Sequence, residues 1–111
     1  MSELTTKQMK VVERLFEAGM RPIAIPPYEK ALGMHRGDCA ALLAPVQNGG
    51  LQLLAAPTLL INGNLSVRIK RGNGEVFVFK KDELPATAER LVELDAFRTE
   101  LLQILELPAT Q

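Results

Sequence analysis

The chain has 111 residues, 47% of them apolar, with 13 basic and 13 acidic side chains. That length suits one domain around one core, and a net charge of zero excludes a general electrostatic pull toward nucleic acid or a membrane surface. A single cysteine, Cys39, excludes an intramolecular disulfide. No apolar run approaches the roughly 20 residues of a membrane span, and the opening MSELTTKQMK has no apolar signal core. The sequence therefore predicts a soluble, cytoplasmic protein with no membrane contact. Its charge is unevenly spread. Residues 65–81 carry five basic groups and one acidic, whereas residues 82–111 carry two basic and seven acidic. This asymmetry predicts a basic working surface and an acidic one put to another use.

In chain order, LTTKQMKVVERLFEAG predicts a first helix. Thr5 is placed to cap it, Gln8 completes a capping box, and Gly19 ends it. Met9, Val12, Leu15 and Phe16 recur at helical spacing. In RPIAIPP, Ile23 and Ile25 bracketed by prolines predict a short edge strand. YEKALGM then predicts a short second helix that Gly33 turns out of. A third helix is expected from His35 to about Val46, with Asp38 in its first turn and a kink or end at Pro45. QNGG breaks the chain.

The next segment predicts β structure. Asn62-Gly63 and Arg71–Gly74 are turn sequences. Between them Leu65, Val67 and Ile69 alternate with Ser66, Arg68 and Lys70, and EVFVFK supplies the partner strand of a hairpin. From Leu84 to Leu107 the pattern is helical again, opened by Pro85 and closed by Pro108. About 20 residues of helix span roughly 30 Å, long for so small a domain.

The order helix, short strand, helix, turn, helix, hairpin, long helix resembles the winged helix-turn-helix family. Leu32-Gly33-Met34 matches the family's turn, Cys39 lies six residues after Gly33, Val46 seven after Cys39, and Gly50-Leu51 just beyond. KRGNG falls where the wing tip belongs. The resemblance covers residues 5–80, and the long last helix is similar to the dimerisation helices of its MarR-like and PadR-like branches. It implies an α+β, mainly helical fold, with residues 1–83 forming the winged domain and 84–111 a dimerisation helix. It implies a dimeric transcriptional regulator binding double-stranded DNA. The outward face of the third helix would bring His35, Arg36, Asp38, Ala40 and Ala41 to the major groove, and Arg68, Lys70, Arg71 and Asn73 would hold the wing on phosphates. Leu91, Leu94, Phe97, Leu101, Ile104 and Leu105 would form the homodimer contact.

Those outward positions are poor in donors. Alanine carries little base information, and Asp38 repels phosphates. A second reading therefore keeps the winged-helix shape as a protein-binding module, with the acidic last helix meeting a partner. The cations of the hairpin also suit a solvated edge, where lysine discourages aggregation. His35, Asp38 and Cys39 on one short element do not complete a metal site, and no other Cys or His exists in the chain. Cys39 on an apolar face reads as a core thiol rather than a redox switch. RGNG sits in a hairpin, not between a strand and a helix as phosphate loops do. No nucleophile and base converge, so neither an enzyme nor a cofactor is predicted.

Overall fold

The computed structural model of the chain describes residues 5–28, 31–46 and 50–105. Helix α1 (Thr6–Glu17) is followed by β1 (Arg21–Ile23), β2 (Leu32–Arg36), β3 (Cys39–Pro45) and β4 (Leu51–Leu53). Then come β5 (Thr58–Ile61), β6 (Asn64–Leu65), β7 (Val67–Arg71), β8 (Gly74–Phe79), β9 (Asp82–Pro85) and α2 (Ala88–Leu105). Strands hold 41% of the described residues and helices 31%. The expectation of a mainly helical, winged helix-turn-helix fold is therefore wrong.

The first helix forms where its capping residues place it. Gln8 N–H donates to Thr5 Oγ1 at 3.1 Å, and Thr5 N–H donates back to Gln8 Oε1 at 2.8 Å. The departure begins after β1. Leu32–Arg36 and Cys39–Pro45, expected as helix, turn and reading helix, are paired antiparallel strands with Arg36 opposite Cys39 and Leu32 opposite Leu43. Gly37 and Asp38 make the two-residue turn. Gly37 has φ of 62° and Asp38 does not enter the left-handed region, the pattern of a II′ turn, which puts glycine first. Gly33 is a strand residue. A Cβ there would lie 2.3 Å from the Ile23 carbonyl oxygen, so its missing side chain lets β1 lie close against β2. Tyr28 and Ala31, the other described residues of the expected second helix, are not helical either, and residues 29, 30 and 47–49, the last three from the QNGG break, lie outside the described residues.

The misreading has a physical cause. β3 is buried on both sides. Cys39, Ala41 and Leu43 point into the larger core, while Ala40 and Leu42 join Ile25 in a second cluster. A strand buried on both faces shows a continuous apolar run, and over seven residues that run cannot be told from a buried helix. Alanine's helix propensity is worth only tenths of a kcal/mol per residue against its neighbours. Burial and pairing on both edges outweigh it. β3 pairs with β2 on one edge, and with β4 and β5 end to end on the other. Between β4 and β5 the chain detours through residues 54–57.

The β5–β6 hairpin turns at Asn62-Gly63, where φ is 53° and 80°, the two left-handed residues a I′ turn requires. At Ser66 the chain leaves the larger sheet. The Ser66 hydroxyl donates to the Leu59 carbonyl at 2.7 Å, which satisfies this buried group. β7, β8 and β9 then form a separate antiparallel meander. α2 starts later than expected. Pro85 ends β9, and Thr87 caps the helix by accepting from the Arg90 N–H at 3.2 Å. Its Leu94, Phe97, Leu101 and Leu105 fill the larger core together with Leu15, Met34, Leu43 and Phe77. The expected end of this helix at Leu107 lies outside the described residues.

Candidate interaction surface

The nine residues expected at DNA fall into two groups that the fold keeps apart. The first lies on the β2–β3 hairpin. Ala40 and Ala41 are 0% and 1% exposed and present nothing to a partner. His35 is half-buried, its Nδ1 lying 3.2 Å from the Gly37 carbonyl oxygen. Asp38 is exposed in the turn, and its carbonyl accepts the Leu60 N–H at 2.8 Å. Arg36 is a tie between elements. Its Nη1 donates to the Ala18 carbonyl and to Glu100 Oε2, both at 3.0 Å, and its guanidinium lies 5.8 Å from the centre of the Phe97 ring. It thereby joins the end of α1, β2 and α2. Beneath it the Cys39 thiol is pushed above its ordinary range by burial and by Glu93, with Asp38 adding to the shift and Arg36 opposing it.

The second group lies on the β7–β8 hairpin, where Gly72 and Asn73 make the turn and all four expected residues are exposed. Two of the cations are occupied. Arg68 grips Glu75 with Nε at 3.1 Å and Nη2 at 2.6 Å, a fork that raises the arginine's pKa and holds the Glu75 carboxyl below the usual carboxylate range. Arg71 pairs with Glu83 of β9. Lys70 lies opposite Glu75 in the register without an ion pair among the described residues.

Register and alternation assign these side chains to faces, because directly opposed residues in antiparallel strands share a face. Arg68, Lys70, Glu75, Phe77 and Leu84 lie on the face that meets α2. Val67, Ile69, Val76 and Val78 lie on the other face, and none of the four belongs to either core cluster. Val67 is 63% exposed. An open cleft of about 580 Å³ runs between α2 and this hairpin. Pro57, Phe77 and Leu94 line it, with Arg68, Asp95 and Arg98 as its charged groups.

The expected dimerisation residues are mostly consumed within the chain. Leu94, Phe97, Leu101 and Leu105 are buried in the larger core, and Leu91 and Ile104 pack against it partly buried. The sequence reading counts the acidic groups without pairing Glu75, Glu83 or Glu100 with a cation. Glu75 was legible, because a two-residue turn in RGNG puts Lys70 opposite it and Arg68 on the diagonal. Glu100 was not, since 64 residues separate it from Arg36. Among the described residues no group of three or more His, Cys, Asp or Glu could hold a metal ion. No helix among them is long and apolar enough to cross a membrane. Compared with protein-family models, curated proteins and solved structures, the chain has no match.

Proposed function

We propose that this chain is a protein-binding module that works without catalysis and without reading DNA. One observation carries the reading. The β7–β9 meander turns four β-branched side chains, Val67, Ile69, Val76 and Val78, away from both cores. Val67 is exposed and Ile69, Val76 and Val78 are half-buried beside it, and apolar side chains left outside a core in this way mark contact sites. The ion pair Arg71–Glu83 lies on the same face, with Glu83 directly opposite Val78.

DNA reading is the weaker alternative. Its reading helix is the interior of a sheet, and Arg36, Arg68 and Arg71 already hold carboxylates. Phosphate contact would have to break those pairs. Catalysis lacks an activated nucleophile in the cleft, where the Ser66 hydroxyl is given to the Leu59 carbonyl rather than to a base.

Two experiments test this. A photo-crosslinking residue at Val67, with one at exposed Lys10 as control, is expected to give a discrete adduct with another protein at Val67 alone. Equal adducts at both positions would contradict the reading. Labelled duplex DNA at low salt is expected not to bind. Binding that rises as salt falls and is abolished by Arg68→Ala/Lys70→Ala/Arg71→Ala would restore the DNA alternative.

A further inference from the structure

The cleft between α2 and the β7–β8 hairpin has a volume of about 580 Å³, within the range of small-molecule sites. Phe77, Leu94 and Pro57 give it an apolar floor, and all three are buried. Leu91, Leu94, Asp95 and Arg98 recur at helical spacing, so one face of α2 supplies a wall. The charged groups on that wall and on the hairpin are not equivalent. Arg68 is held by Glu75, and Arg98 is engaged as well. Asp95 is exposed and has no ion pair among the described residues. Lys70 lines a separate recess with Gly72 and Glu75. An anion entering the cleft would share Arg68 with Glu75 and meet the uncompensated carboxylate of Asp95. A cation meets Asp95 without displacing a partner.

The hydroxyls of the cleft point to the same kind of ligand. Ser66 has one hydroxyl proton and gives it to the Leu59 carbonyl at 2.7 Å. In the 3.1 Å contact between Ser66 Oγ and Thr58 Oγ1, Thr58 is therefore the donor. Both protons are spent within the fold, so half-buried Thr58 offers the cleft lone pairs only. A ligand that donates hydrogen bonds suits this lining, and one that only accepts does not. An exposed aspartate alone is ordinary helix surface. Here it shares a cleft with an apolar floor and an acceptor-only hydroxyl. We infer that this cleft binds a small amphipathic amine, with its protonated primary ammonium group on Asp95 and its aliphatic or aromatic body over Phe77 and Leu94. The site lies on the opposite face of the meander from Val67, Ile69, Val76 and Val78, so its failure leaves the protein-binding reading standing. A free amine and the lysine side chain of a bound protein present the same chemistry.

The probe is 2-phenylethylamine, titrated into the full chain at neutral pH and followed by backbone amide chemical shifts. It is expected to bind at about 1 mM, as suits a ligand of so few atoms, with shifts at Phe77, Leu94 and Asp95. 2-Phenylethanol, with the same ring and stem, should bind about fivefold more weakly, the upper end for an exposed ion pair. 3-Phenylpropionate, which brings a carboxylate, should bind more weakly still. Asp95→Asn, an exposed change, is expected to weaken the amine about fivefold and to leave 2-phenylethanol unchanged. Asp95→Lys should reverse the order of amine and carboxylate. N-acetyl-lysine methylamide separates the two sources. Tighter binding than 2-phenylethylamine assigns the cleft to a protein's lysine, weaker binding assigns it to a free amine, and both support the inference. Equal affinity for the three headgroups overturns it. So does amine binding that Asp95→Asn leaves unchanged, or the absence of any shift at the cleft up to about 10 mM, tenfold above the expected constant.

Discussion

Replacing Arg36 with methionine separates a structural tie from a groove-reading side chain. Methionine keeps the aliphatic stem against Phe97 and removes the charge. The lost Nη1 bond to the Ala18 carbonyl, 3.0 Å long, has a charged donor and is worth about 1.5 kcal/mol. The Glu100 carboxylate is 46% exposed, so its ion pair is screened and contributes about 0.5 kcal/mol. The guanidinium at 5.8 Å from the Phe97 ring adds about 0.5 kcal/mol. About 1 kcal/mol of side-chain entropy is returned on removal. The net cost is about 1.5 kcal/mol, which for a domain of this size lowers Tm by about 8 °C. Urea titration of wild type, Arg36→Met, Glu100→Gln and the double variant measures both the total and the pair. The coupling between the two single changes should be about 0.5 kcal/mol. An arginine standing free for DNA would cost nothing in stability. A loss below about 0.3 kcal/mol, within the range of ordinary surface substitutions, would refute the tie.

Three other outcomes follow from burial and charge. Ala40→Lys puts an ammonium group at a position that is 0% exposed, and several kcal/mol of desolvation rivals the whole stability of a small domain. Its cooperative melt should vanish by circular dichroism, whereas a wild-type melt would mean that this residue faces solvent. Cys39 has a raised pKa, so the native state holds its thiol proton where the unfolded chain releases it. Its contribution is whole below about pH 8.5 and is lost as pH rises through the folded value. The unfolding free energy should fall more steeply between pH 8 and 10 for wild type than for Cys39→Ala, and parallel slopes would contradict this. α2 spends Leu94, Phe97, Leu101 and Leu105 inside its own chain, so light scattering should return the 12.2 kDa monomer. A stable dimer at micromolar concentration would restore the helix as an interface.

The sequence was most legible where local chemistry decides the structure. Thr5 with Gln8 marks the start of α1, and Asn62-Gly63 and Arg71–Gly74 mark hairpin turns, because caps and two-residue turns depend on a few neighbouring residues. The alternation from Leu65 to Lys70 locates a strand for the same reason. It failed where long-range pairing decides. Nothing local in CAALLAP distinguishes a helix from a strand buried on both faces, and the strands beside β3 lie up to about twenty residues away along the chain. Gly33 misled because a glycine that permits close approach of β1 looks in sequence like one that turns between helices. Arg36 misled because its partners, Ala18 and Glu100, are distant in sequence. The alternation shows that the hairpin's cations face solvent, but it does not show that Glu75 and Glu83 hold two of them.

A protein-binding role in place of DNA reading depends on residues 32–45 forming the interior of a sheet. One nuclear Overhauser cross-peak tests this most directly. With Gly37-Asp38 as the turn, His35 and Ala40 form a close, non-hydrogen-bonded pair whose Cα atoms are about 4.5 Å apart. A strong Hα–Hα cross-peak between His35 and Ala40 is the expected result. Its absence, with sequential amide–amide cross-peaks running from residue 35 through 44, would place a helix there and contradict the sheet.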